Sequence, residues 1–148
     1  MLSTEEKYLI FLIQNKNYAL PSKLISEVTV LERVFPLPLT PGYVRGIINR
    51  YSVPYACIDL NFLLYKEASK ACKLLILKEE IDKLALLIDD VSDISCLPSE
   101  KLIKIEQEDR VISSSICSFF EWKGDTVFCF DTEELINLIK KDFAQQAV

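Results

Sequence analysis

The stretch TPGYVRGIINRYSVPYACIDL, from Thr40 to Leu60, decides the fold of this chain. It begins with a Pro-Gly turn, and Gly46 starts an apolar run that stops at a polar break of four residues. A second apolar run then continues to Asp59, with Pro54 near its start, where only an edge strand, a strand start or a bulge tolerates proline. Two short apolar runs on either side of a polar break predict two β-strands joined by a turn.

Short apolar runs of this kind recur along the chain. They are rich in β-branched and aromatic residues, and turn residues separate them at intervals of about 8–12 residues, as in small β-barrels and sandwiches. Hairpin turns are predicted at Gln14–Asn17 and at Glu79–Asp82. The predicted strands are Tyr8–Ile13, Tyr18–Leu20, Ile25–Leu31, Val53–Leu60, Leu74–Leu77, Leu84–Ile88, Val91–Leu97 and Thr126–Phe130.

One helix is predicted, near the end of the sequence. Asp131 and Glu134 have the spacing of a capping box, and Leu135 and Ile139 share one face of the helix that follows. The segment Lys101–Ser115 is too polar for a buried strand and has no helical stripe, so we interpret it as a long connection with short strands. The predicted fold class is therefore mainly β with a C-terminal α-helix.

The composition favours one globular domain and argues against several kinds of partner. The 148 residues are half hydrophobic, with a net charge of −5 and a pI near 4.8. We predict a single domain over residues 1–148, long enough to bury a core without metal or disulfide bonds. Because the chain has no basic cluster, nucleic acid is not an expected partner. No apolar stretch approaches the about 20 residues that span a bilayer, and the first residues do not form a signal peptide, so we expect a cytoplasmic protein without direct membrane insertion.

The absence of histidine argues against most enzyme classes, because it removes the commonest general base and the commonest zinc ligand. The three glycines, Gly42, Gly46 and Gly124, cannot build a phosphate-binding loop. The five cysteines contain no C-x-x-C pair, and we interpret them as reduced packing residues. We therefore predict a protein that is not an enzyme, with no catalytic residue, metal or cofactor.

The order of these signals resembles the CheW family, the adaptors of bacterial chemotaxis, from about Lys7 to Ile139. The segment TPGYVRG at residues 40–46 is similar to the family's T-P-x-[FY]-[IV]-[KR]-G. Gly46 to Leu60 is similar to G-V-x-N-L-R-G followed by I-x-D-L, with the same number of residues between glycine and aspartate. Other matching pieces, in order, are the opening strand and Tyr18-Ala19-Leu20, the pair Glu27-Val28, Ile88–Asp93 and the capped helix.

This resemblance implies two packed five-stranded SH3-like β-barrel subdomains with a C-terminal α-helix. It also implies a non-enzymatic adaptor that needs no cofactor and couples methyl-accepting chemoreceptors to the histidine kinase CheA in signalling arrays near the membrane. One surface would bind the cytoplasmic tip of the chemoreceptor hairpin. Other surfaces would bind the regulatory domain of CheA, which resembles CheW itself.

The polar break of the opening stretch is a receptor contact in the family, where it reads N-L-R-G. Here it reads Asn49-Arg50-Tyr51-Ser52, so that Tyr51 takes the arginine's place and Ser52 the glycine's. Glycine at such a position often has a positive φ, which serine adopts at a cost, so we predict a turn of changed shape. The swap from arginine to tyrosine replaces a planar cation with aromatic area and one hydroxyl, which changes the chemistry of the contact.

The other predicted contacts come from the same resemblance. Glu27, at the family's acidic contact position, lies between apolar neighbours and is predicted to face solvent. On composition alone, the apolar residues nearby are more typical of core than of contacts: Ile25, Val28, Val44, Ile47 and Ile48. The predicted receptor-binding residues are Ile25, Glu27, Gly46, Asn49, Arg50, Tyr51 and Ser52. Candidate contacts for a further partner are Asp90, which replaces a family glycine, and an exposed aromatic patch of Phe119 or Phe120 with Trp122.

Three alternatives remain open at this level. The departures at Tyr51, Ser52 and Asp90 fit a diverged CheW paralogue that competes with the main adaptor or serves another CheA-type pathway. A thiol-dependent enzyme would have to use Cys57 or Cys96, neither of which has a histidine to activate it. A cation site formed by Asp89, Asp90, Asp93 and Glu100 lacks the glycine and the final glutamate of an EF-hand loop, which favours a solvated strand end.

Overall fold

The computed structural model describes residues 5–106, 108 and 114–146, and it is mainly β with a C-terminal helix, as predicted. Part of the predicted connection Lys101–Ser115 lies outside the described residues. The elements in chain order are β1 (Glu5–Ile13), β2 (Lys16–Pro21), β3 (Ile25–Val30), β4 (Val44–Arg50), β5 (Val53–Asp59), α1 (Leu60–Tyr65), β6 (Lys73–Leu77), β7 (Leu84–Ile88), β8 (Asp90–Pro98), β9 (Ile103–Lys104), β10 (Ile116–Trp122), β11 (Asp125–Phe130) and α2 (Thr132–Gln146).

Both predicted hairpins are present. Gln14 and Asn15 connect β1 to β2 with φ values of 51° and 61°, the left-handed conformation that a two-residue hairpin turn requires at both central positions. Strands β6 and β7 pair in antiparallel register around the turn at Glu79–Asp82. Every strand predicted from sequence overlaps an observed one, because each was marked by an apolar run with turn residues at its ends.

The strands form two sheets. The first sheet has the order β8-β1-β2-β11-β10-β9, and the second sheet has the order β3-β6-β7-β5-β4. Two parallel pairs, β2 with β11 and β5 with β7, join segments that are distant in sequence. Each order has two ends, so backbone pairing among the described residues leaves both sheets open. The five-stranded SH3-like barrels implied by the resemblance are therefore not confirmed as closed barrels.

Each sheet buries side chains on both of its faces. The first core cluster contains residues of both sheets and of both helices, among them Phe11 and Leu86. The second cluster belongs to the first sheet alone and includes Ile10, whereas the third belongs to the second sheet and includes Ile76. Strands covered on both faces read as continuous apolar runs, which explains why β1, β6 and β7 show little alternation in sequence.

A buried carboxylate fixes the connection between β5 and α1. The side chain of Asp59 has no solvent exposure, and its Oδ1 accepts a hydrogen bond from the Phe62 amide at 3.2 Å, as an N-cap of α1. Its Oδ2 accepts from the Ser69 amide at 2.9 Å and from Arg45 Nε at 3.1 Å. Arg45 Nη2 also donates to the Ser69 carbonyl at 2.6 Å. Asp59 therefore holds the start of α1 and the loop before β6 against β4.

Helix α2 is capped as predicted and packs on the first core cluster. The Glu134 amide donates to Asp131 Oδ1 at 3.1 Å, and Leu135 and Ile139 are buried. The Tyr43 hydroxyl donates to Asp142 Oδ2 at 2.5 Å and so ties the last turns of α2 to the loop before β4. Within the described part of the chain, no helix combines the length and the apolar character needed to cross a bilayer.

Gly46 allows the chain before β4 to lie against that strand. Phe35 lies in that segment, and Ile47 follows Gly46 on β4. The backbones of Phe35 and Ile47 exchange two hydrogen bonds, each 2.8 Å long. Gly46 has a φ of +139°, and a Cβ added there would lie 2.2 Å from the Phe35 carbonyl oxygen. Only glycine satisfies both conditions, since an L side chain rarely adopts this conformation and the obstacle is backbone. The place of Gly46 in the sequence motif is therefore explained by structure.

We predict that Gly46→Ala lowers the free energy of unfolding by at least about 2 kcal/mol, because the new methyl group displaces the Phe35 segment from β4. Gly124→Ala is the matched control: Gly124 also has a positive φ, +81°, but an added Cβ meets nothing within 4 Å, so its cost should be about 1 kcal/mol. Urea denaturation of both variants measures the difference. Equal losses would contradict this explanation.

Candidate partner-binding surface

The two edge strands of the second sheet are joined by an ion pair. Glu27 lies on β3 and Arg50 on β4, which are at opposite ends of the strand order. Arg50 Nε donates to Glu27 Oε1 at 2.8 Å, and Nη2 donates to Oε2 at 2.6 Å, a bidentate contact. These hydrogen bonds from Arg50 hold the pKa of Glu27 below its ordinary value. The pair brings together two predicted contact residues that are 23 positions apart.

Arg50 also supports the exposed tip of the β4–β5 hairpin. Its guanidinium lies 4.7 Å from the centroid of the Tyr51 ring, and Nη2 donates to the Tyr51 hydroxyl at 3.3 Å. Tyr51 and Ser52 form the two-residue turn with φ values of 50° and 65°, so Ser52 adopts the positive φ that favours glycine, and a changed shape of the turn stays a prediction. Asn49 and Arg50 belong to β4 itself, so only the second half of the predicted break is turn.

The residues of β3 do not divide between core and solvent as predicted. Glu27 is only partly exposed and lies on the sheet face of its register partner Ile76, in the third cluster. Val28, predicted to be core, is 42% exposed. That prediction is wrong because β3 is an edge strand: Val28 shares a face with Leu75 of the first cluster, but the cluster does not extend over Val28. Ile25 packs on the first cluster from the edge.

Two ion pairs lie near the edges β3 and β8, on segments beside those strands. Lys73, the register partner of Val30, has its Nζ 3.7 Å from Asp90 Oδ1 at the start of β8. Lys23, just before β3, has its Nζ 2.9 Å from Glu6 Oε1, and Glu6 is the register partner of Leu97 on β8. Both pairs are partly exposed, so their role is to orient the edges more than to stabilise the fold.

Between these ion pairs the edges expose apolar side chains. Ile94 on β8 is 57% exposed and shares a face with its register partner Leu9, a member of the first cluster. Val28 and Val30 are exposed on the corresponding face of β3. We call Val28, Val30 and Ile94 the edge surface. Sequence reasoning missed it, because an apolar residue on an edge strand has the same local pattern as one on a central strand.

The three candidate contacts for a further partner lie apart from one another. Asp90 is exposed at the start of β8. On β10, Phe119 packs against Phe128 with ring centroids 6.4 Å apart, whereas Phe120 is buried. Trp122 packs on the second cluster, on the face of Phe120 and opposite to that of Phe119. Phe119 and Trp122 therefore do not form one patch, and a role of either residue stays a prediction.

The carboxylates near the end of β7 serve the backbone. Asp89 Oδ2 accepts from the Gln14 amide at 2.8 Å, and Asp90 and Asp93 each accept from the amide of the following residue, also at 2.8 Å. In the part of the chain that the structure describes, no group of three or more metal-ligating side chains is placed to hold a metal ion. The carboxylates thus have structural partners where a cation site would need converging ligands.

The cysteines fall into buried and exposed groups. Burial raises the pKa of Cys57 to about 11 and that of Cys129 to about 12, which suppresses the thiolate. Cys72 and Cys96 are exposed. Cys57 is therefore poorly suited to act as a nucleophile, which removes one of the two residues on which a thiol-dependent enzyme would depend.

The arrangement of the two sheets is found in a solved protein structure. The structure is similar to the crystal structure of the scaffolding protein TtCheW from Thermoanaerobacter tengcongensis, with a TM-score of 0.76 over 88% of this chain and 86% of that chain. The two sequences are 17% identical, so this likeness concerns the fold. The family model of the CheW-like domain matches residues 7–140, and the chain belongs to that family. No curated protein matches it in sequence.

We predict that Glu27→Gln lowers the free energy of unfolding at neutral pH by less than about 1 kcal/mol, because both members of the pair are partly exposed. The pKa of Glu27 is lowered in the folded state, so its contribution is present above the ordinary pKa of 4.5 and is lost as the pH falls through the lowered value. Wild type and variant should therefore converge in acid denaturation series. Glu80→Gln, at an exposed glutamate, is the control; a constant difference at all pH values would contradict the assignment.

We also predict that a maleimide reagent near neutral pH labels Cys72 and Cys96 in the native protein within minutes but leaves Cys57 and Cys129 unmodified. Peptide mass spectrometry of native and urea-unfolded samples measures each site, and unfolding should make all of them reactive. Rapid native labelling of Cys57 would contradict its burial and would restore the thiol-enzyme alternative.

Proposed function

We propose that this protein is a non-enzymatic cytoplasmic adaptor that couples methyl-accepting chemoreceptors to the histidine kinase CheA. Membership of the CheW-like domain family supports an adaptor role. The observation that carries the receptor half of the proposal is the edge surface, where two sheets expose valine and isoleucine side chains beside their shared core. Contiguous exposed apolar side chains with charged neighbours are typical of sites that bind another protein.

The edge surface fits the cytoplasmic tip of a receptor, which is a helical hairpin. An amphipathic helix binds a groove through apolar residues on one face, while charged residues at the rim fix its direction. Here Val28 and Ile94 provide the apolar contact, and the ion pairs at Lys73 and Lys23 flank it. Of the predicted receptor-binding residues, Ile25 and Glu27 lie on the same strand as Val28.

The remaining predicted receptor contacts lie on and beside the β4–β5 hairpin. Asn49, Tyr51 and Ser52 are exposed there, and Glu27 connects the hairpin to β3 through Arg50. A receptor seated on the edge surface would lie beside β3, the strand that the Glu27–Arg50 pair joins to the hairpin. The regulatory domain of CheA would bind elsewhere, and Asp90, Phe119 and Trp122 are the candidate contacts for it.

A second candidate is a diverged paralogue that competes with the main adaptor or serves another CheA-type pathway. The contacts of Arg50 favour this second candidate. Arg50, next to the family's receptor-contact arginine position, is bound to Glu27, and Tyr51 is the side chain exposed at that position. An adaptor of this kind would retain the contact with CheA while losing its receptor, or bind receptors whose tips differ.

Calorimetric titration of the protein with the receptor-tip fragment and with the CheA regulatory domain tests both candidates. We predict that Ile94→Lys weakens receptor binding at least about 10-fold, because it places a charge in an apolar contact, and leaves CheA binding within about twofold. Ile103→Lys is the matched control, since Ile103 is 50% exposed on β9, outside the edge surface, and should leave receptor binding unchanged.

The outcomes separate the candidates. Binding of both partners, with only Ile94→Lys impaired for the receptor, supports the coupling adaptor. Binding of CheA alone identifies the competing paralogue. Failure of the wild type to bind either partner would refute the proposed function, and equal effects of the two lysine variants on receptor binding would refute the edge surface as the site.

A further inference from the structure

The alternation of side chains along β10 breaks at Cys117. Ile116 belongs to the first core cluster and Phe120 to the second, although residues an even number apart lie on the same face of a regular strand. The pairing with β11 shifts its register between Ile116 and Ser118, so β10 has one extra residue there, which is Cys117. Because of this β-bulge, Cys117 and Ser118 both lie on the face of the second cluster.

A second cysteine lies opposite the bulge. Cys129 on β11 is the register partner of Ser118, belongs to the second cluster and is 3% exposed. Two residues of a bulged strand oppose one residue of the partner strand, so Cys117 shares Cys129 with Ser118. Paired Cα atoms of antiparallel strands are about 4.5–5.5 Å apart, and a disulfide needs about 4.4–6.8 Å. The strand pairing therefore brings the two cysteines within the range of a disulfide bond.

A cavity of about 400 Å³ reaches both thiols. It lies between this face of the first sheet and the start of α2, and Cys117, Cys129 and Tyr8 all line it. Burial raises the pKa of Tyr8 to about 12, and Cys129 and Cys117 both add to that shift, which agrees with their common position in the cavity wall. The volume is in the range of small-molecule sites, so a small reagent can enter.

We propose that Cys117 and Cys129 form a reversible disulfide, a redox-sensitive crosslink between β10 and β11. This inference does not depend on the proposed function. The oxidant is a low-molecular-weight disulfide of the glutathione type. The half-buried Cys117 is the first sulfur that such a reagent meets, and the buried Cys129 is the resolving thiol.

The chemistry is two successive thiol–disulfide exchanges. The Cys117 thiolate attacks one sulfur of the small disulfide, whose S–S bond breaks and releases one small thiolate. The Cys129 thiol then loses its proton and attacks the Cys117 sulfur, and the second small thiolate leaves. The two protons from the protein end on the released thiols, and the small disulfide gains the two electrons that the protein loses. Burial raises the pKa of Cys129 to about 12, so the second exchange is the slow one.

The crosslink joins the two strands where the bulge interrupts their pairing. The Cys117 carbonyl also accepts a hydrogen bond of 2.8 Å from the Ile105 amide, so the same point is connected to the segment after β9. Oxidation therefore makes one wall of the cavity more rigid, and reduction by a small thiol releases it.

The test is a peptide map of the oxidised, full-length protein. Cys72 and Cys96 are replaced by serine, since both thiols are exposed and would react with the reagent. The reduced, native protein is incubated with oxidised glutathione and digested with trypsin under non-reducing conditions. Trypsin cuts after Lys123, between the two cysteines of the proposed pair, so a disulfide leaves two tryptic peptides joined.

We expect the peptides of Cys117 and Cys129 to be joined at least about tenfold more often than any pair that contains Cys57, since disulfide formation requires close Cα atoms. The protein should lose the mass of two hydrogen atoms, and dithiothreitol should restore it. Cys57 is the matched internal control because it is buried as Cys129 is. Cys117→Ser should abolish the joined product and leave Cys129 unmodified.

Urea denaturation shows whether the crosslink belongs to the native structure. A disulfide within a native hairpin restricts the unfolded chain, so oxidation should raise the urea midpoint, and the same treatment of Cys117→Ser should not. Glutathione that stays on Cys117 without joining Cys129, or joining that occurs only in urea, would overturn the inference. A lower midpoint after oxidation would also overturn it, because the crosslink would then distort the fold.

Discussion

The buried carboxylate of Asp59 is the constraint on which the second sheet depends. It receives hydrogen bonds from the start of α1, from the loop before β6 and from Arg45 on β4. A charge without solvent access is tolerated only when its partners remain in place, so these three segments are fixed relative to one another. Arg45 is the residue before Gly46, and the same strand then carries the bridge to Phe35 and the hairpin tip. The position of the β4–β5 hairpin tip is thus determined by contacts that begin at the buried Asp59.

The elements were predictable because their signals are local. Apolar runs with turn residues at their ends identified the strands, and Asp131 with Glu134 identified the start of α2. The assignment of faces was not predictable in the same way. Alternating apolar and polar residues identify the buried face of a strand only when its other face is exposed to solvent. Here both faces of each sheet are covered. The separation of Phe119 from Trp122 has this cause, whereas the error at Val28 comes from the edge position of β3.

The candidate site was predictable in its residues but not in its geometry. The motif located Glu27 and the break from Asn49 to Ser52, and the structure shows that Glu27 and Arg50 bind each other across the gap between two edge strands. No local pattern reports such a contact, because the curvature of the whole sheet creates it. The edge surface could not be predicted from the sequence for a related reason. Val28 and Ile94 are exposed because each lies on a strand that has no neighbouring strand on one side.

The parallel pairing of β2 with β11 also bears on how the protein is made. Strands β3 to β7 are contiguous in sequence, and in the second sheet they pair only with one another. The hairpin of β1 and β2, although synthesised first, acquires its neighbour on one side only after residues 125–130 have left the ribosome. Nonlocal pairing of this kind slows folding, so the first segment to emerge is among the last to be completed. During that interval the apolar strands of the hairpin lack the neighbour that β11 provides.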